Sequence, residues 1–320
     1  MIGVAALLAF AHAGGVRAQA LPYPTKPIRL IVPTPPGGGA DIATRIIAKK
    51  LAEGLGQPVL VENRAGAGGN VSAEYVAKQP PDGYTIYMGA IGPFAISPSL
   101  YKSLPYDPLR DFAPITLSVV MSNILVAHPS VTAKTVAELV AIARAAPGRL
   151  SYGSSGNGST PHLAGEIFKA MTGVDLLHVP YKGSGQSLAD TVGGQVQVSF
   201  DSLPSQLAYI RGGKLRALAV TSLKRSAGLP EVPTVAESGF PGFDASSWFG
   251  LVGPAGLPAE IANKASGEVA RILAVPAMRE KFVQQGSDPV GSTPEEFGAY
   301  IRAETEKWAR VVRATGARVD

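Results

Sequence analysis

The chain has 320 residues, of which 46% are hydrophobic and 17% are charged; this balance excludes a disordered protein, and the length suffices for two domains. Its 29 basic residues give a formal net charge of +5 but form no run, so the composition does not favour a nucleic-acid-binding protein. The absence of cysteine excludes disulfides, thiolate metal ligands and cysteine nucleophiles.

Residues 1–20 have the character of a secretory signal peptide. A short apolar segment ends in Ala18-Gln19-Ala20, which fits an A-x-A cleavage site and predicts a mature chain that starts near Leu21. The alternative is a membrane anchor, but the uninterrupted apolar stretch is about ten residues, whereas a spanning helix needs about 20. We therefore expect an exported protein whose leader is removed.

Strand-like and helix-like segments alternate after this leader. Strands are predicted at 28–32, 59–63, 85–90, 123–128, 150–155, 176–181, 197–201 and 215–222. Helices are predicted at 41–53, 70–78, 135–145, 161–172, 184–193 and 204–212. Several strands are apolar at consecutive positions, as in a parallel sheet that helices cover on both faces. The order predicts an α/β fold with mostly parallel sheets flanked by helices.

The C-terminal part departs from this alternation. Helices are predicted near 258–274, 276–285 and 294–315, and the last has an apolar face that could dock on an earlier domain. Because no flexible linker is evident, we expect two domains joined by ordered strands near 120–125 and 246–252. The predicted domains are residues 21–121 with 250–320, and residues 122–249.

The first glycine-rich loop, "PPGGGAD", lies between a predicted strand and a predicted helix. Glycines allow a close approach of the backbone to a ligand, and the unpaired N–H groups of the first helical turn can bind an anion. The alternative is a tight turn with Asp41 near the helix N-terminus. The sequence of this loop alone leaves both interpretations open.

A second loop, "SYGSSGNGSTPHLAGEIF", carries more polar side chains than a helix cap requires. Pro161 suits the first helical position, which makes Thr160 the predicted N-cap. The remaining hydroxyl and amide groups favour ligand binding; they belong to Ser154, Ser155, Asn157 and Ser159.

The same loops fail the motifs of cofactor and catalytic sites. Ser159 stands where a P-loop has lysine, and Asn157 stands where a nucleophile elbow has its second glycine. "GAGGN" at 66–70 is not a dinucleotide fingerprint, and no carboxylate is evident to orient His162 as a base. The histidines have no metal-ligand spacing. We therefore expect no cofactor, no metal and no enzymatic activity, with a hydrolase using Ser154 and His162 as the weaker alternative.

The third loop, "VPYKGSGQSLAD", again connects a strand to a helix through glycine. Tyr181 and Lys182 either face a cleft or are a core-edge tyrosine and a solvated lysine. Asp201 ends a predicted strand, where ligand sites of α/β proteins gather. It either accepts a hydrogen bond from a ligand or caps the following helix.

Nine segments, in order, resemble the periplasmic solute receptors of tripartite tricarboxylate transporters, also called Bug-type receptors. They include "YPTKPIRLIVPTPPGGGADIATR", "LGQPVLVENRAGAGGN", "YGSSGNGSTPHLAGE", "HVPYKGSGQSLAD" and "SSWFGLVGPAG". The resemblance implies a type II-like periplasmic binding protein whose two domains, joined by two crossover strands, close on a small carboxylated solute. It also implies delivery to integral membrane transporter subunits, and signalling to a membrane sensor is the alternative role.

The resemblance further implies a binding site built from backbone amides, hydroxyls and bridging waters. On one domain the expected site residues are Pro36, Gly37, Gly38, Gly39, Asp41, Ala90 and Gly92. On the other they are Ser154, Ser155, Gly156, Asn157, Ser159, Thr160, His162, Tyr181, Lys182, Gly183 and Asp201.

The ligand class is expected to be a di- or tricarboxylate, an acidic amino acid or an aromatic carboxylate. Phe94, Ser97 and Trp248 are candidates for setting the size of the site. Thr34 and Pro161 depart from the family pattern, so the identity of the acid does not transfer from relatives. Because a cleft that closes must move freely, we expect a monomer.

Overall fold

A computed structural model describes residues 23–318 of the chain, so the predicted signal peptide at 1–20 lies outside the described residues. The strands are β1 Ile28–Val32, β2 Val59–Asn63, β3 Thr85–Ala90, β4 Phe112–Met121, β5 Asn123–Ala127, β6 Ser151–Ser154, β7 Leu177–Pro180, β8 Val198–Ser202, β9 Arg216–Val220, β10 Ser247–Pro254 and β11 Ser287–Pro289. The helices are α1 Gly39–Leu55, α2 Asn70–Ala77, α3 Ser97–Leu100, α4 Val136–Ala145, α5 Thr160–Thr172, α6 Ser184–Val192, α7 Leu203–Arg211, α8 Ala259–Ala274, α9 Pro276–Gln284 and α10 Pro294–Thr315.

The strands form two sheets. The first has six strands in the order β11-β4-β10-β3-β1-β2, and the second has five in the order β7-β6-β8-β5-β9. In the first sheet β1 pairs in parallel with β2 and β3, whereas β10 lies antiparallel between β3 and β4. In the second, β6 is parallel to β7 and β8, and β5 lies antiparallel between β8 and β9. Both sheets are therefore mixed, with α/β units at one side and antiparallel strands at the other.

The α/β class is confirmed, with one correction to the strand arrangement. The bounds of β1, β2, β3 and α10 agree with the sequence prediction, and the other predicted elements shift by one or two residues. The prediction of mostly parallel sheets holds only for the α/β part of each sheet. It omitted β4 and the short edge strand β11, and it treated the segment of β10 only as a crossing, although these three strands supply the antiparallel pairings of the first sheet.

The chain passes directly from one sheet to the other. β4 ends at Met121 in the first sheet and β5 begins at Asn123 in the second, and β10 returns to the first sheet at Ser247. The side-chain amide of Asn123 donates to the carbonyl of Ala245 at 2.9 Å, which ties the two passages together. These positions lie at or next to the predicted crossings; the exact domain boundaries stay a prediction.

The C-terminal helix packs on the first sheet through its apolar face. The ring of Phe297 meets Trp248 edge-on at 5.6 Å, and the indole N–H groups of Trp248 and Trp308 both donate to Glu304. Trp248, Phe94 and Ser97 are buried and do not line the cavity described below, so their effect on the size of the site could only be indirect. Between residues 23 and 318, no helix has the length and apolarity that crossing a bilayer requires.

Candidate ligand-binding cleft

A cavity of about 640 Å³ lies between the two sheets. Its walls come from the loops that follow β1, β2, β3, β6, β7 and β8, together with both passages between the sheets. Because the carboxyl ends of parallel strands meet at one edge of a sheet, these loops are brought together from distant parts of the chain. The glycine-rich loops predicted from sequence therefore face one common space.

The first wall is the turn between β1 and α1. Gly39 and Ala40, at the start of the helix, line the cavity together with Thr34 and Pro35. Gly39 lies so close to the second sheet that a Cβ atom there would be 3.1 Å from the Ser202 Oγ. The bare backbone at this junction thus allows the start of α1 to approach the opposite sheet.

Pro36, Gly37, Gly38 and Asp41 shape this turn but do not line the cavity. Asp41 accepts hydrogen bonds from the Gly37 amide at 3.0 Å and from the side chains of Arg45 and Asn63. Burial acts to raise the pKa of Asp41, but these hydrogen bonds outweigh it and lower the pKa. The carboxylate therefore stabilises the turn from outside the lining, and a direct role of Asp41 in ligand binding stays a prediction.

The second wall is the loop between β6 and α5. Five of its predicted residues line the cavity: Ser155, Gly156, Asn157, Ser159 and Thr160. The N-cap is Ser159, whose Oγ accepts from the His162 amide at 3.3 Å, and Thr160 is already the first helical residue. The predicted cap was one residue too late, because Pro161 occupies the second helical position, where its missing N–H also costs nothing.

Ser154 and His162 lie behind this wall and outside the lining. The Ser154 Oγ pairs with the Nε2 of His178 at 2.8 Å, and the rings of His162 and His178 stack at 4.4 Å. The nearby carboxylate of Glu166 accepts a hydrogen bond from Tyr152. Burial lowers the pKa of His162, and burial with the neighbouring His162 lowers that of His178 to about 4. Since Ser154 is 0% exposed, this group supports the loop and offers no accessible nucleophile.

The third wall comes from the β7–α6 loop and the end of β8, and Tyr181, Lys182 and Gly183 all line it. The Tyr181 hydroxyl donates to Asp190 at 2.7 Å, and Lys182 is exposed. Gly183 has a φ of +138°, and a Cβ there would lie 2.8 Å from the Pro35 ring of the opposite wall. The two rims of the cleft therefore touch at this glycine.

Asp201 lines the cavity although it is only 1% exposed. Its Oδ1 accepts from the Ser184 hydroxyl and from the Ser202 amide, both at 2.7 Å, and its Oδ2 has no partner among residues 23–318. Burial raises the pKa of Asp201 to about 6, against the effect of these hydrogen bonds. It does not cap α7, so the capping alternative is wrong.

Ala90 and Gly92 line the cavity as expected, and several further lining residues were missed. Residues 65–69 line the cavity but are absent from the predicted site; Gly68 and Gly69 have positive φ, and Gly68 approaches the backbone of Asn157. Tyr101, Asn123, Ser247 and Phe249 also line the cavity, and no local sequence motif identifies them.

The charge of the cleft comes mainly from its backbone. Of the lining side chains, only Lys182 and Asp201 are ordinarily charged, but α1, α5 and α6 all begin at the cavity with Gly39, Thr160 and Ser184. The first-turn N–H groups of a helix lack intrahelical acceptors, and the N-terminal end of its dipole is positive. This arrangement suits an anion. No cluster of three metal-ligating side chains occurs between residues 23 and 318.

Residues 43–317 match the model of the family described as the tripartite tricarboxylate transporter family receptor. The chain belongs to this family. Similar proteins include protein BugT of Bordetella pertussis, which is 40% identical over 298 residues, covering 93% of this chain and 91% of BugT.

Solved structures of such receptors have the same fold. Rpa4515 of R. palustris, solved with adipate, has a TM-score of 0.90 and 39% identity, covering 92% of this chain and 98% of that one. MatC from Rhodopseudomonas palustris, solved with bound malate, has a TM-score of 0.85 and 31% identity over 91% of this chain and 100% of that one. These likenesses confirm the two-sheet periplasmic binding protein fold and the predicted resemblance to Bug-type receptors.

Proposed function

We propose that this receptor captures a small carboxylated solute in the cleft and delivers it to the membrane subunits of a tripartite tricarboxylate-type transporter. The observation that carries the proposal is the meeting of three helix N-termini at one cavity whose lining has no arginine. Backbone N–H groups and hydroxyls can hold a carboxylate, either directly or through water. Relatives solved with adipate and malate support the same ligand class.

Capture is proposed to work by approach of two domains, residues 21–121 with 250–320 and residues 122–249. The contacts between rims support this: Gly183 lies against Pro35, and Gly68 lies against the backbone of Asn157. A solute that binds both walls stabilises the arrangement in which they are close. No bond of the solute is made or broken.

Calorimetric titration and thermal shift of the purified protein with di- and tricarboxylates, acidic amino acids and aromatic acids test the proposal. We expect binding by at least one class, and mass spectrometry of the native protein should identify a co-purified acid. Absence of binding by every class would refute the proposal.

Export and the monomeric state are also proposed. N-terminal sequencing of the protein from the periplasm should give a chain that starts near Leu21, and light scattering should give the mass of one chain. Nothing in the composition or in the cleft favours a nucleic-acid partner or a cofactor.

A further inference from the structure

Two buried side-chain oxygens of cavity-lining residues have no partner among residues 23–318, the hydroxyl of Thr34 and the Oδ2 of Asp201, and only the second belongs to a carboxyl group. Asp201 is the last but one residue of β8 and lies close to the start of α6, at Ser184, and to the start of α7. Its Oδ1 already accepts both local hydrogen bonds, from Ser184 and Ser202. Its Oδ2 belongs to a side chain that lines the cavity, and it has no partner among residues 23–318.

We propose that Asp201 selects carboxylated solutes that also carry a hydrogen-bond donor, an ammonium or a hydroxyl group, beside the carboxylate. This inference rests on the proposed function, because it concerns which acids the same cleft accepts. The solute carboxylate would lie at the helix N-termini and its donor would meet the Asp201 Oδ2.

A buried polar atom without a hydrogen-bond partner raises the free energy of the molecule, and the increase is larger when the group is ionised. A plain dicarboxylate would leave this oxygen unpaired and bring a second negative charge towards it, whereas an ammonium or hydroxyl group would pair with it. Recognition of a donor by a buried acceptor also discriminates strongly, since an analogue without the donor leaves the acceptor unsatisfied.

The structural role of this side chain can be separated from the proposed role. Asparagine has the same shape, and its single carbonyl oxygen can accept from both Ser184 and Ser202. The variant Asp201→Asn can therefore retain the local hydrogen bonds while it carries an N–H donor in place of the unpaired Oδ2 acceptor. Asp175→Asn is the matched control, because Asp175 lies before β7 of the same sheet, is exposed and does not line the cavity.

The experiment compares acids that differ at one position. Succinate, L-malate and L-aspartate share a four-carbon dicarboxylate skeleton and carry hydrogen, hydroxyl and ammonium at C2. Phenylacetate, mandelate and phenylglycine repeat the comparison for a larger apolar acid, because Ile91 and Phe249 also line the cavity. Titrations are made at pH 7.5, above the Asp201 pKa of about 6.

We expect a donor-bearing acid to bind at least about 10-fold more tightly than its plain analogue. The Asp201→Asn variant should reduce that ratio to within about threefold, and the Asp175→Asn control should retain it. Equal binding of the plain and donor-bearing members, or a uniform effect of Asp201→Asn on all of them, would overturn the inference and leave the proposed function intact. Binding of no acid in either series would also contradict the inference, whereas the proposed function itself is overturned only if no class of carboxylate named above binds.

A second measurement does not depend on the variant folding. The acid that co-purifies with the wild-type protein, identified by native mass spectrometry, should contain an amine or a hydroxyl group next to a carboxyl group. A co-purified acid without such a donor would contradict the inference even if the variant could not be prepared.

Discussion

Substitution of Gly39 by alanine tests whether approach of the two sheets controls ligand binding. Gly39 is the first residue of α1 and has no positive φ, so alanine introduces no backbone strain there. The added Cβ would lie 2.8 Å from the Met121 Sδ, and 3.1 and 3.2 Å from the Oγ and Cβ of Ser202. Met121 ends β4 of the first sheet and Ser202 ends β8 of the second. A methyl group on residue 39 would therefore crowd both Met121 of the first sheet and Ser202 of the second.

The magnitude follows from the distances. Ordinary contacts of a Cβ begin near 3.4 Å, so the Met121 sulfur would have to move by about 0.6 Å, and it is fully buried. Overpacking of this kind costs about 1–3 kcal/mol. Met121 belongs to the same sheet as β1, which leads into α1, so separation of the sheets relieves only the contacts with Ser202. That smaller part of the cost, about 1 kcal/mol, falls on the ligand-bound form and raises the Kd roughly fivefold.

The assay is calorimetric titration of Gly39→Ala with an acid that the wild type binds, together with thermal melts of the ligand-free proteins. The matched control is Gly267→Ala in α8, where a Cβ would meet nothing within 4 Å. That control should leave the Kd unchanged and stabilise the helix by up to ~1 kcal/mol. A wild-type Kd for Gly39→Ala, with the whole cost appearing as a lower melting temperature, would refute the reasoning.

Three further predictions concern stability. Because burial raises the pKa of Asp201 from 3.8 to about 6, ionisation of Asp201 destabilises the fold as the pH rises from about 4 to 6. The variant Asp201→Asn should remove that decline in stability, which is ~3 kcal/mol at most. Urea unfolding of both proteins at pH 4 and 7 tests this, and a difference in stability that does not change with pH would count against it. Burial and the neighbouring His162 lower the pKa of His178 to about 4, so the stability of the fold should fall as the pH drops from 6.5 towards 4. In unfolding curves the variant His178→Gln should flatten this fall, and His128→Gln should not. An unchanged dependence of stability on pH in His178→Gln would contradict the assignment of the fall to His178. The variant Thr293→Ala removes the capping box of α10 and should lower the free energy of unfolding by about 1 kcal/mol in denaturant titrations. The Kd for the ligand should not change; a changed Kd would show that α10 is coupled to the cleft.

Local patterns predicted the helices and the parallel strands well. β1, β2 and β3 were found with their observed bounds because short β-branched and apolar runs lie between clear turn signals. β4 was missed because "FAPITLSVVM" contains Pro114 and buried polar residues such as Ser118, which do not match a simple apolar run. Its antiparallel pairing with β10, more than 120 residues away, leaves no local signal.

Part of the candidate cleft could also be predicted, because glycine-rich strand-to-helix turns are visible in a sequence. Most of the cavity-facing residues in the turns before α5 and α6 are therefore among the predicted site residues. The direction of a side chain within such a turn depends on distant partners: Asn63 holds Asp41, and His178 holds Ser154. Neither partner lies in the loop that it orders, which is why both residues were placed in the site and are observed behind it.

The floor of the cleft links ligand contact to the passages between the sheets. Asn123 begins β5, lines the cavity, and donates to the Ala245 carbonyl, while its Oδ1 accepts from the Ser247 hydroxyl at 3.3 Å. Ser247 begins β10 and also lines the cavity. A solute that contacts these side chains therefore contacts both segments about which the two sheets would move. Only interactions that differ between separated and approached sheets can shift the equilibrium between them. If the sheets move as proposed, the contacts that would differ are those at the rims, Pro35 with Gly183 and Gly68 with Asn157, because they join the two walls directly.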